Sequence, residues 1–414
     1  MQVDAERLSA DDLARLAEVE LVFVRRAVRA GALGDRVEIT GLGVQDAARL
    51  RFLNAWDAAG LPVEAIASLI RRGELSFSFL AGPTTAAHPR SAATYQELCA
   101  AHGIELSRVQ RLHDALGFTP PAATDHVRED DRILLELLRE LAAAGADEPA
   151  ALRLVRVYAD ALRRLAQAEA ELYESQVEAK LRQAGATEQD LLDRGGQTGA
   201  RLPALFEQAL TAIYRRHRQH VWLDHSISHV EHILETNGLH QRLDRPPCVC
   251  FVDLSGYTRL TAEHGDELAA DLAGRLALLV EGICRRHGGR AVRWLGDGGM
   301  LVFRVPDASV RAAVEMVTQA PANGLPPTHI GIHCGPVVFQ DGDIYGSTVN
   351  IAARLSARAA PGEVLVSSSV ADRVGDAGPL EHVGAVQLKG LDRPMEVYRA
   401  LAATGGHPTG GATG

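Results

Sequence analysis

The first third of the chain repeats a pattern of apolar positions spaced three and four residues apart. The segment DLARLAEVELVFVRRAVRAGAL (12–33) aligns with ELCAAHGIELSRVQRLHDALGF (97–118), and LRFLNAWDAAG (50–60) aligns with LELLRELAAAG (135–145), both at an offset of 85. This spacing is typical of amphipathic helices. Each copy is therefore predicted as helix, turn, helix, loop, helix, and residues 81–93 separate the two copies.

Two longer helical runs follow, separated by a predicted loop at 194–201, and the second extends from about 203 to 236. Its apolar seam has the spacing of a coiled-coil contact and comprises Leu223, Ile227, Val230 and Leu234. Three histidines of this run share one helical face, at His225, His229 and His232. One interpretation is a solvated polar face, and another is a pH-responsive cluster, because imidazole titrates near neutrality and stacked imidazoliums repel. A zinc site is a third, disfavoured because the sequence shows no second shell of residues to orient the ligands.

At RPPCVC (245–250) the periodicity changes, because paired prolines stop the helix and alternating apolar strands begin. The predicted elements are strand 248–254, helix 258–287, strands 290–295 and 299–305, helix 307–319, strands 328–334 and 336–340, helix 347–358, and strands 363–367, 382–389 and 394–400. This interleaving predicts a ferredoxin-like α+β domain behind an all-α N-terminal region.

Composition narrows the class of protein. The formal charge of −10 provides no overall basic field for nucleic acid. No run of apolar residues is long enough to cross a membrane and no signal segment opens the chain, so a cytoplasmic location is expected. The five cysteines form no CxxC pair, and we expect buried free thiols.

Two aspartates occupy positions suited to metal chemistry. Asp253 ends the first strand of the α+β region, and Asp297 lies at the glycine corner of WLGDGG, in the central hairpin. In a ferredoxin-like topology these two ends lie side by side, and a carboxylate pair there can bridge hard cations. The surrounding glycines allow a close approach of backbone and phosphate.

Polar residues in three other stretches complete the candidate site. Asn350 and Arg354 are four residues apart and share a helical face, and Asp343 precedes them in a loop. Lys389 is one of only two lysines and ends a predicted strand, whereas Arg293 lies on the strand that leads to Asp297.

Together these stretches resemble the class III nucleotide cyclases, over residues 248–401 and in the family's order of motifs. The resemblance implies that Asp253 and Asp297 bind two divalent cations, Mg²⁺ or Mn²⁺. It further implies that Asn350 orients the ribose and Arg354 stabilises the transition state. Lys389 then falls on the triphosphate-binding lysine.

The resemblance also implies the reaction and the assembly. The expected activity is conversion of ATP to 3′,5′-cyclic AMP and pyrophosphate by in-line attack. In this family one protomer supplies the metal aspartates and the other supplies the base-reading residues, the Asn and the Arg. A homodimer with two shared active sites is therefore expected. The input to the N-terminal region is left open among a small molecule, a lipid and pH.

Base choice is a separate question, because the family's adenylate-type members carry Lys where this chain has Arg293. A donor at Arg293 beside an acceptor at Asp343 fits the N6 amino group and N1 of adenine, and mismatches guanine at both points. Cytosine presents the same donor–acceptor edge, so CTP remains the alternative substrate.

The first helices also resemble the head of MerR-type regulators, and residues 94–240 resemble the helical regulatory domain of actinobacterial cyclases. Arg25, Arg26 and Arg29 could face DNA, but Glu18 and Glu20 flank that helix and disfavour phosphate contact. A DNA-binding regulator that senses nucleotide is thus the rival hypothesis. The expected domains are the MerR-like unit 1–80, the second repeat with regulatory helices 94–202, the transducing linker 203–244, the catalytic domain 248–401 and a flexible tail 402–414.

Overall fold

The computed structural model describes residues 9–17, 19–34, 43–81, 90–198, 202–239, 246–375, 379–389 and 393–401. The chain divides into two compact units, Met1–His229 and Val230–Gly414. The predicted tail 402–414 and most of the predicted separator 81–93 lie outside the described residues.

The N-terminal unit is helical, and its first eight helices repeat. They are α1 (Ala10–Ala17), α2 (Leu21–Ala30), α3 (Val44–Ala58), α4 (Val63–Arg71), α5 (Tyr95–His102), α6 (Leu106–Leu116), α7 (Glu129–Ala143) and α8 (Glu148–Tyr173). Each helix of the second set begins 85 positions after its counterpart, so the offset predicted from the apolar pattern is confirmed. Each copy has four helices, one more than the three predicted.

Each copy of the repeat buries its own apolar core. Leu13, Val24 and Leu50 belong to the first core, and Leu98 and Leu112 belong to the second. Gly60 and Gly145, which also differ by the offset, both have φ near +90° (90° and 93°), a conformation that favours glycine after a helix. The second copy also contains a two-stranded sheet of β1 (Arg90–Thr94) and β2 (His126–Arg128).

Three more helices complete the helical part of the chain. After a π-helical turn at Glu174–Glu178 come α9 (Ala179–Gln183), α10 (Glu188–Thr198) and the 35-residue α11 (Leu202–Thr236). We predicted a loop from 194 to 201, but α10 extends to Thr198. The boundary between the two compact units falls within α11.

The C-terminal unit is built on a mixed seven-stranded sheet. Its strands are β3 (Cys248–Leu254), β4 (Gly289–Trp294), β5 (Gly298–Phe303), β6 (Thr328–Cys334), β9 (Val364–Ser367), β10 (Leu380–Val386) and β11 (Met395–Ala400). They lie in the order β10-β11-β9-β6-β3-β5-β4. Only the β6–β9 pair is parallel among the described strand pairs of this sheet. A separate hairpin consists of β7 (Val338–Gln340) and β8 (Asp343–Tyr345).

Helices cover both faces of this sheet. The helices of this unit that follow α11 are α12 (Tyr257–His264), α13 (Asp266–Arg286), α14 (Pro306–Ala322), α15 (Ser347–Arg358) and α16 (Ser368–Ala371). Leu276 of α13 and Met316 of α14 share the main core with Val252 of β3. Ala352 of α15 packs on the opposite face with Val249 and Met300. Alternate residues of β3 therefore face different helical layers.

Three predictions in this unit were wrong. The predicted helix 258–287 is two helices, because Gly265 at φ 89° breaks it after His264. The predicted strand 382–389 ends at Val386. Cys248 and Cys334 are not free thiols: sheet register places them opposite each other on β3 and β6, and a disulfide joins them. Cys99, Cys250 and Cys284 are free and buried, as expected.

Candidate active site

The predicted metal aspartates lie at one edge of the sheet. Asp253 is at the end of β3, directly opposite Gly298 of β5, and Asp297 immediately precedes that glycine. The Leu254 amide donates to the Asp297 carbonyl oxygen over 3.0 Å, which joins the end of β3 to the turn. The two carboxylate-bearing residues are therefore held on adjacent chain segments.

Glycine is required at position 298. A Cβ there would lie 2.6 Å from the Val252 carbonyl oxygen and 2.7 Å from Asp253 Oδ1, closer than real Cβ atoms approach. Gly296, at the other side of Asp297, has φ 76°, in the left-handed region. The Gly-Asp-Gly-Gly sequence thus makes a tight corner that brings one carboxylate beside the other.

The electrostatics of this corner favour a cation. Burial, and secondly the negative charge of Asp297, raise the pKa of the Asp253 carboxyl, and His329 opposes both effects. A bound divalent cation would relieve the repulsion between the carboxylates. Within the described residues no group of three or more His, Cys, Asp or Glu side chains could hold a metal. Two carboxylates alone suit an ion such as Mg²⁺, which keeps waters and takes substrate phosphates as its other ligands.

The predicted catalytic pair lies on α15. Thr348, Ala352 and Leu355 are buried, whereas Asn350 is exposed and Arg354 is half-buried. Among the described residues, no hydrogen bond or ion pair of this protomer joins Asn350 or Arg354 to the aspartates. Within the described part of one protomer, the two parts of the predicted site therefore make no direct polar contact.

The predicted base-reading residues are in direct contact. The Arg293 guanidinium on β4 forms an ion pair with the Asp343 carboxylate at the start of β8. Asp343 Oδ1 also accepts a hydrogen bond of 2.8 Å from the Ile344 amide. The Asp343 side chain is 14% exposed and that of Arg293 is 48% exposed, so the carboxylate is fixed while the cation reaches solvent.

The predicted phosphate-binding residue forms no hydrogen bond or ion pair with these groups among the described residues. Lys389 is exposed in the turn after β10, next to the buried Leu388. The part of this turn from 390 to 392 lies outside the described residues.

The predicted histidine face of α11 is present, and its members touch. Nε2 of His225 and Nε2 of His229 are 2.9 Å apart, and their rings meet edge to face. His232 Nδ1 lies 3.7 Å from a carboxylate oxygen of Glu235. One nitrogen of the His225–His229 contact has to donate and the other to accept, so the contact requires that they are not both protonated there.

A histidine beside the two aspartates, and the helix residue that it contacts, were not predicted from the sequence. His329 of β6 lies opposite Asp253 in register, with its Nε2 3.7 Å from Asp253 Oδ2. Its Nδ1 is 3.0 Å from the carbonyl oxygen of Ser356 on α15. Both pairings depend on sheet register and helix packing, so the spacing along the chain contains no signal for them.

One of the three arginines of the helix proposed to read DNA is engaged within its own fold. Arg26 of α2 pairs with Glu64 and Asp57, both at 2.8 Å. In the second copy, Arg111 pairs with Glu148 at 2.8 Å. These two guanidiniums are already neutralised, which weakens the case for phosphate contacts.

Comparison with known proteins defines the class. Residues 241–401 match the adenylate and guanylate cyclase catalytic domain, and residues 39–221 match the adenylate cyclase regulatory domain. The chain therefore carries a class III cyclase catalytic domain preceded by a regulatory domain. None of the described helices is both long and apolar enough to span a bilayer.

Individual proteins are similar to this chain over part or most of its length. An uncharacterized protein of Mycobacterium bovis is 36% identical over 149 residues, which are 36% of this chain and 39% of that protein's length. The pH-sensitive adenylate cyclase of Mycobacterium tuberculosis is 28% identical over 335 residues, covering 77% of this chain and 80% of its own. Among solved structures, the adenylyl cyclase CyaB from P. aeruginosa is 23% identical, covers 38% of this chain and 94% of its own, and has a TM-score of 0.36.

Proposed function

We propose that this protein converts ATP to 3′,5′-cyclic AMP and pyrophosphate. The observation that carries the proposal is the carboxylate pair at the β3–β5 edge, where burial and the charge of Asp297 raise the pKa of Asp253. Such a corner is poised for a divalent cation and a triphosphate. The strand order β6-β3-β5-β4 supports assignment of this core as ferredoxin-like, the fold expected of the catalytic domain.

Each residue has a defined role in this proposal. Asp253 and Asp297 hold two divalent cations, Mg²⁺ or Mn²⁺, which when bound acidify the ribose 3′-hydroxyl and neutralise the leaving group. Asn350 orients the ribose. Arg354 stabilises the charge that develops at the α-phosphorus, an interaction strongest in the transition state. Lys389 holds the β- and γ-phosphates as a point charge.

Base selection falls to the Arg293–Asp343 pair. The Asp343 carboxylate accepts from the adenine N6 amino group, and the Arg293 guanidinium donates to N1. Because the two side chains already pair with each other, the donor and acceptor are held side by side before the base arrives. Guanine would leave both unpaired, which can reject a substrate by roughly 10⁴-fold.

The active enzyme is a homodimer with two shared sites. In one chain the aspartates and the α15 pair make no contact among the described residues, which is the arrangement expected if each site takes one part from each protomer. A two-fold axis then builds two equivalent sites. The linker α11 leads into β3, so a change in its pairing would alter how the catalytic domains meet.

The decisive experiment incubates the purified protein with each of the four nucleoside triphosphates and Mn²⁺ or Mg²⁺, and identifies the product by mass spectrometry. We expect cyclic AMP from ATP. A cyclic product from CTP and none from ATP would show that Arg293 changes the base specificity. No cyclic product from any triphosphate would overturn the proposal.

A second experiment tests the shared sites. Asp297→Ala should abolish cyclisation while the protein remains folded, and Arg354→Ala should do the same. After subunit exchange, a mixture of the two variants should regain activity, because a heterodimer holds one intact site. An inactive mixture in which heterodimers are demonstrated would contradict the shared-site arrangement.

A further inference from the structure

Asp253 lies between two neighbouring strands, with a glycine beside it on one strand and a histidine beside it on the other. Its register partners are Gly298 on β5 and His329 on β6. On the β5 side, the Asp253 carboxyl occupies the space that a side chain on Gly298 would need, because a Cβ there would lie 2.7 Å from Asp253 Oδ1. On the other side, the imidazole ring stands 3.7 Å from Asp253 Oδ2. The orientation of the carboxyl is therefore limited on one flank by the His329 ring.

The same imidazole is anchored to α15. Nδ1 of His329 is 3.0 Å from the carbonyl oxygen of Ser356. A carbonyl oxygen only accepts, so Nδ1 donates, and the ring is held with Nε2 toward Asp253. Ser356 lies in the last turn of α15, and its carbonyl oxygen also accepts from the Ala359 amide over 3.0 Å. His329 is 16% exposed, so this bond is largely shielded from solvent.

The helix and the strand are in unusually close contact at this point. A Cβ on Gly331 of β6 would lie 2.0 Å from the Ser356 amide nitrogen and 2.4 Å from the Ala352 carbonyl oxygen. The α15 backbone therefore rests directly on β6, with no side chain between them. A displacement of α15 cannot be absorbed by a flexible side chain there and moves β6, which carries His329.

We propose that His329 is a positioning residue that ties the metal-binding Asp253 to the helix carrying Asn350 and Arg354. This inference rests on the proposed function, in which those two groups serve different active sites of the dimer. His329 then links the aspartate half of one site to the α15 half of the other within each protomer. It touches neither substrate nor the reacting atoms.

The test uses a dimer with a single working site. A heterodimer of Asp297→Ala and Arg354→Ala protomers keeps one site, which takes its aspartates from the Arg354→Ala protomer and its α15 from the Asp297→Ala protomer. His329→Ala is then introduced into one protomer at a time. The two placements separate an effect on the aspartate half from an effect on the α15 half.

With His329→Ala on the aspartate-donating protomer, we expect the Mn²⁺ concentration for half-maximal activity to rise about tenfold, as for other residues that orient metal ligands. On the α15-donating protomer, we expect kcat to fall with the Mn²⁺ requirement unchanged. The amide of His329→Asn can still donate to the Ser356 carbonyl but cannot reach Asp253. This variant should therefore restore kcat on the α15-donating protomer, but not the Mn²⁺ requirement on the aspartate-donating protomer. Turnover equal to that of the parent heterodimer in the α15 placement would overturn the link.

A measurement of Mn²⁺ binding tests the role of His329 without relying on cyclase activity. Mn²⁺ alone is titrated into the homodimers and followed by electron paramagnetic resonance, with Asp297→Ala as the blank. His329→Ala should bind Mn²⁺ about tenfold more weakly than the unsubstituted protein. Unchanged affinity would overturn the role toward Asp253. If the unsubstituted protein makes no cyclic nucleotide, the proposed function fails while this titration still decides the role of His329.

A matched control comes from another histidine that touches a carboxylate in the same unit. His287, at the end of α13, lies 2.7 Å from Glu315 on α14, in the layer across the sheet from α15. His287→Ala loses a comparable contact and should leave Mn²⁺ affinity unchanged. An equal loss of affinity in this control would show that the His329 effect reflects general destabilisation, and would overturn the proposal.

Discussion

At the scale of single residues, the position of the Asp253 carboxyl depends on having no side chain at residue 298. Gly298 is the position where β5 passes closest to Asp253, and any Cβ there meets both Val252 and the Asp253 carboxyl. The position is not one of positive φ, so the constraint is space rather than backbone conformation. A substitution at Gly298 therefore acts on the site without demanding a new backbone conformation.

Gly298→Ala should lower cyclase turnover by about a hundredfold, because a displacement of the Asp253 carboxyl by a fraction of an ångström misplaces the metal ligands. The measurement is kcat together with the Mn²⁺ dependence of activity, which should shift to higher concentration. Gly274→Ala in α13 is the control, since nothing lies within 4 Å of a Cβ there. It should leave activity intact and can stabilise the helix by about 1 kcal/mol.

Arg293 determines how the base is read. Arg293→Lys retains a cation beside Asp343 and should keep or raise turnover of ATP, if arginine here stands in for the lysine of adenylate-type relatives. The measurement is kcat/KM for ATP and CTP in both proteins. A variant that loses ATP turnover, or a native enzyme that prefers CTP, would show that the planar guanidinium itself selects the base.

The residues of this site were predictable to different degrees. The proximity of Asp253 and Asp297 could be predicted, because each follows an apolar strand and the predicted topology brings those strand ends together. His329 could not be assigned, because its pairing with Asp253 depends on the register of β3 and β6. The Cys248–Cys334 disulfide arises from the same two strands and was missed for the same reason.

At the scale of elements, a buried polar network holds the second copy of the repeat together. Asp131 of α7 accepts from the Tyr95 hydroxyl of α5 and lies 3.0 Å from His113 Nε2 of α6. All three residues are buried. His113 Nδ1 is also 3.2 Å from the Thr119 carbonyl oxygen. One carboxylate thus joins three helices whose apolar faces alone do not specify their orientation.

Asp131→Asn should lower the free energy of unfolding of the protein by about 3 kcal/mol, the cost of breaking a buried charged contact. The measurement is urea denaturation followed by circular dichroism. Asp160→Asn is the control: Asp160 is half-exposed on α8 and pairs only with Arg163 one turn away. It should change stability by less than about 0.5 kcal/mol.

The same carboxylate predicts a pH dependence of stability. Burial acts to raise the pKa of Asp131, but hydrogen bonds from His113 and Tyr95 outweigh it and lower the pKa below its ordinary value of 3.8. A lowered pKa in the folded state adds stability above pH 3.8, and this contribution is lost as pH falls further. Stability measured across this range should drop more steeply for the native protein than for Asp131→Asn. Parallel profiles would contradict the assignment.

The elements themselves were largely predictable, with misses that have physical causes. The repeat predicted three of the four helices in each copy and the offset between copies, because its apolar periodicity is strong in both. The break at Gly265 was missed because the apolar pattern continues on both sides of one glycine. The strand β8 was missed because its three residues are too few to show an alternating pattern.

At the scale of the whole molecule, α11 is the element that belongs to both units. Its coiled-coil seam is largely exposed in the single chain: Leu223 is 58% exposed and Val230 is 52% exposed. Apolar residues at this spacing and exposure suit pairing with a second helix. A homodimer that pairs two copies of α11 would bury this seam directly before β3. The histidine contact lies on the opposite face of α11, because His225 and His229 each follow a seam residue by two positions, about 200° around the helix.

Protonation of that contact should make cyclase activity pH-dependent. The 2.9 Å approach of His225 to His229 cannot persist when both facing nitrogens are protonated, so acidification separates the rings and perturbs α11 from the face opposite its seam. Glutamine at positions 225, 229 and 232 keeps polarity but does not titrate. In the full chain, this triple variant should lose the pH response measured between about pH 5.5 and about pH 8. His264→Gln, an exposed histidine of α12, should retain it. A triple variant with the native profile would reduce the cluster to a solvated polar face, and the pH input would then lie elsewhere in the regulatory domain.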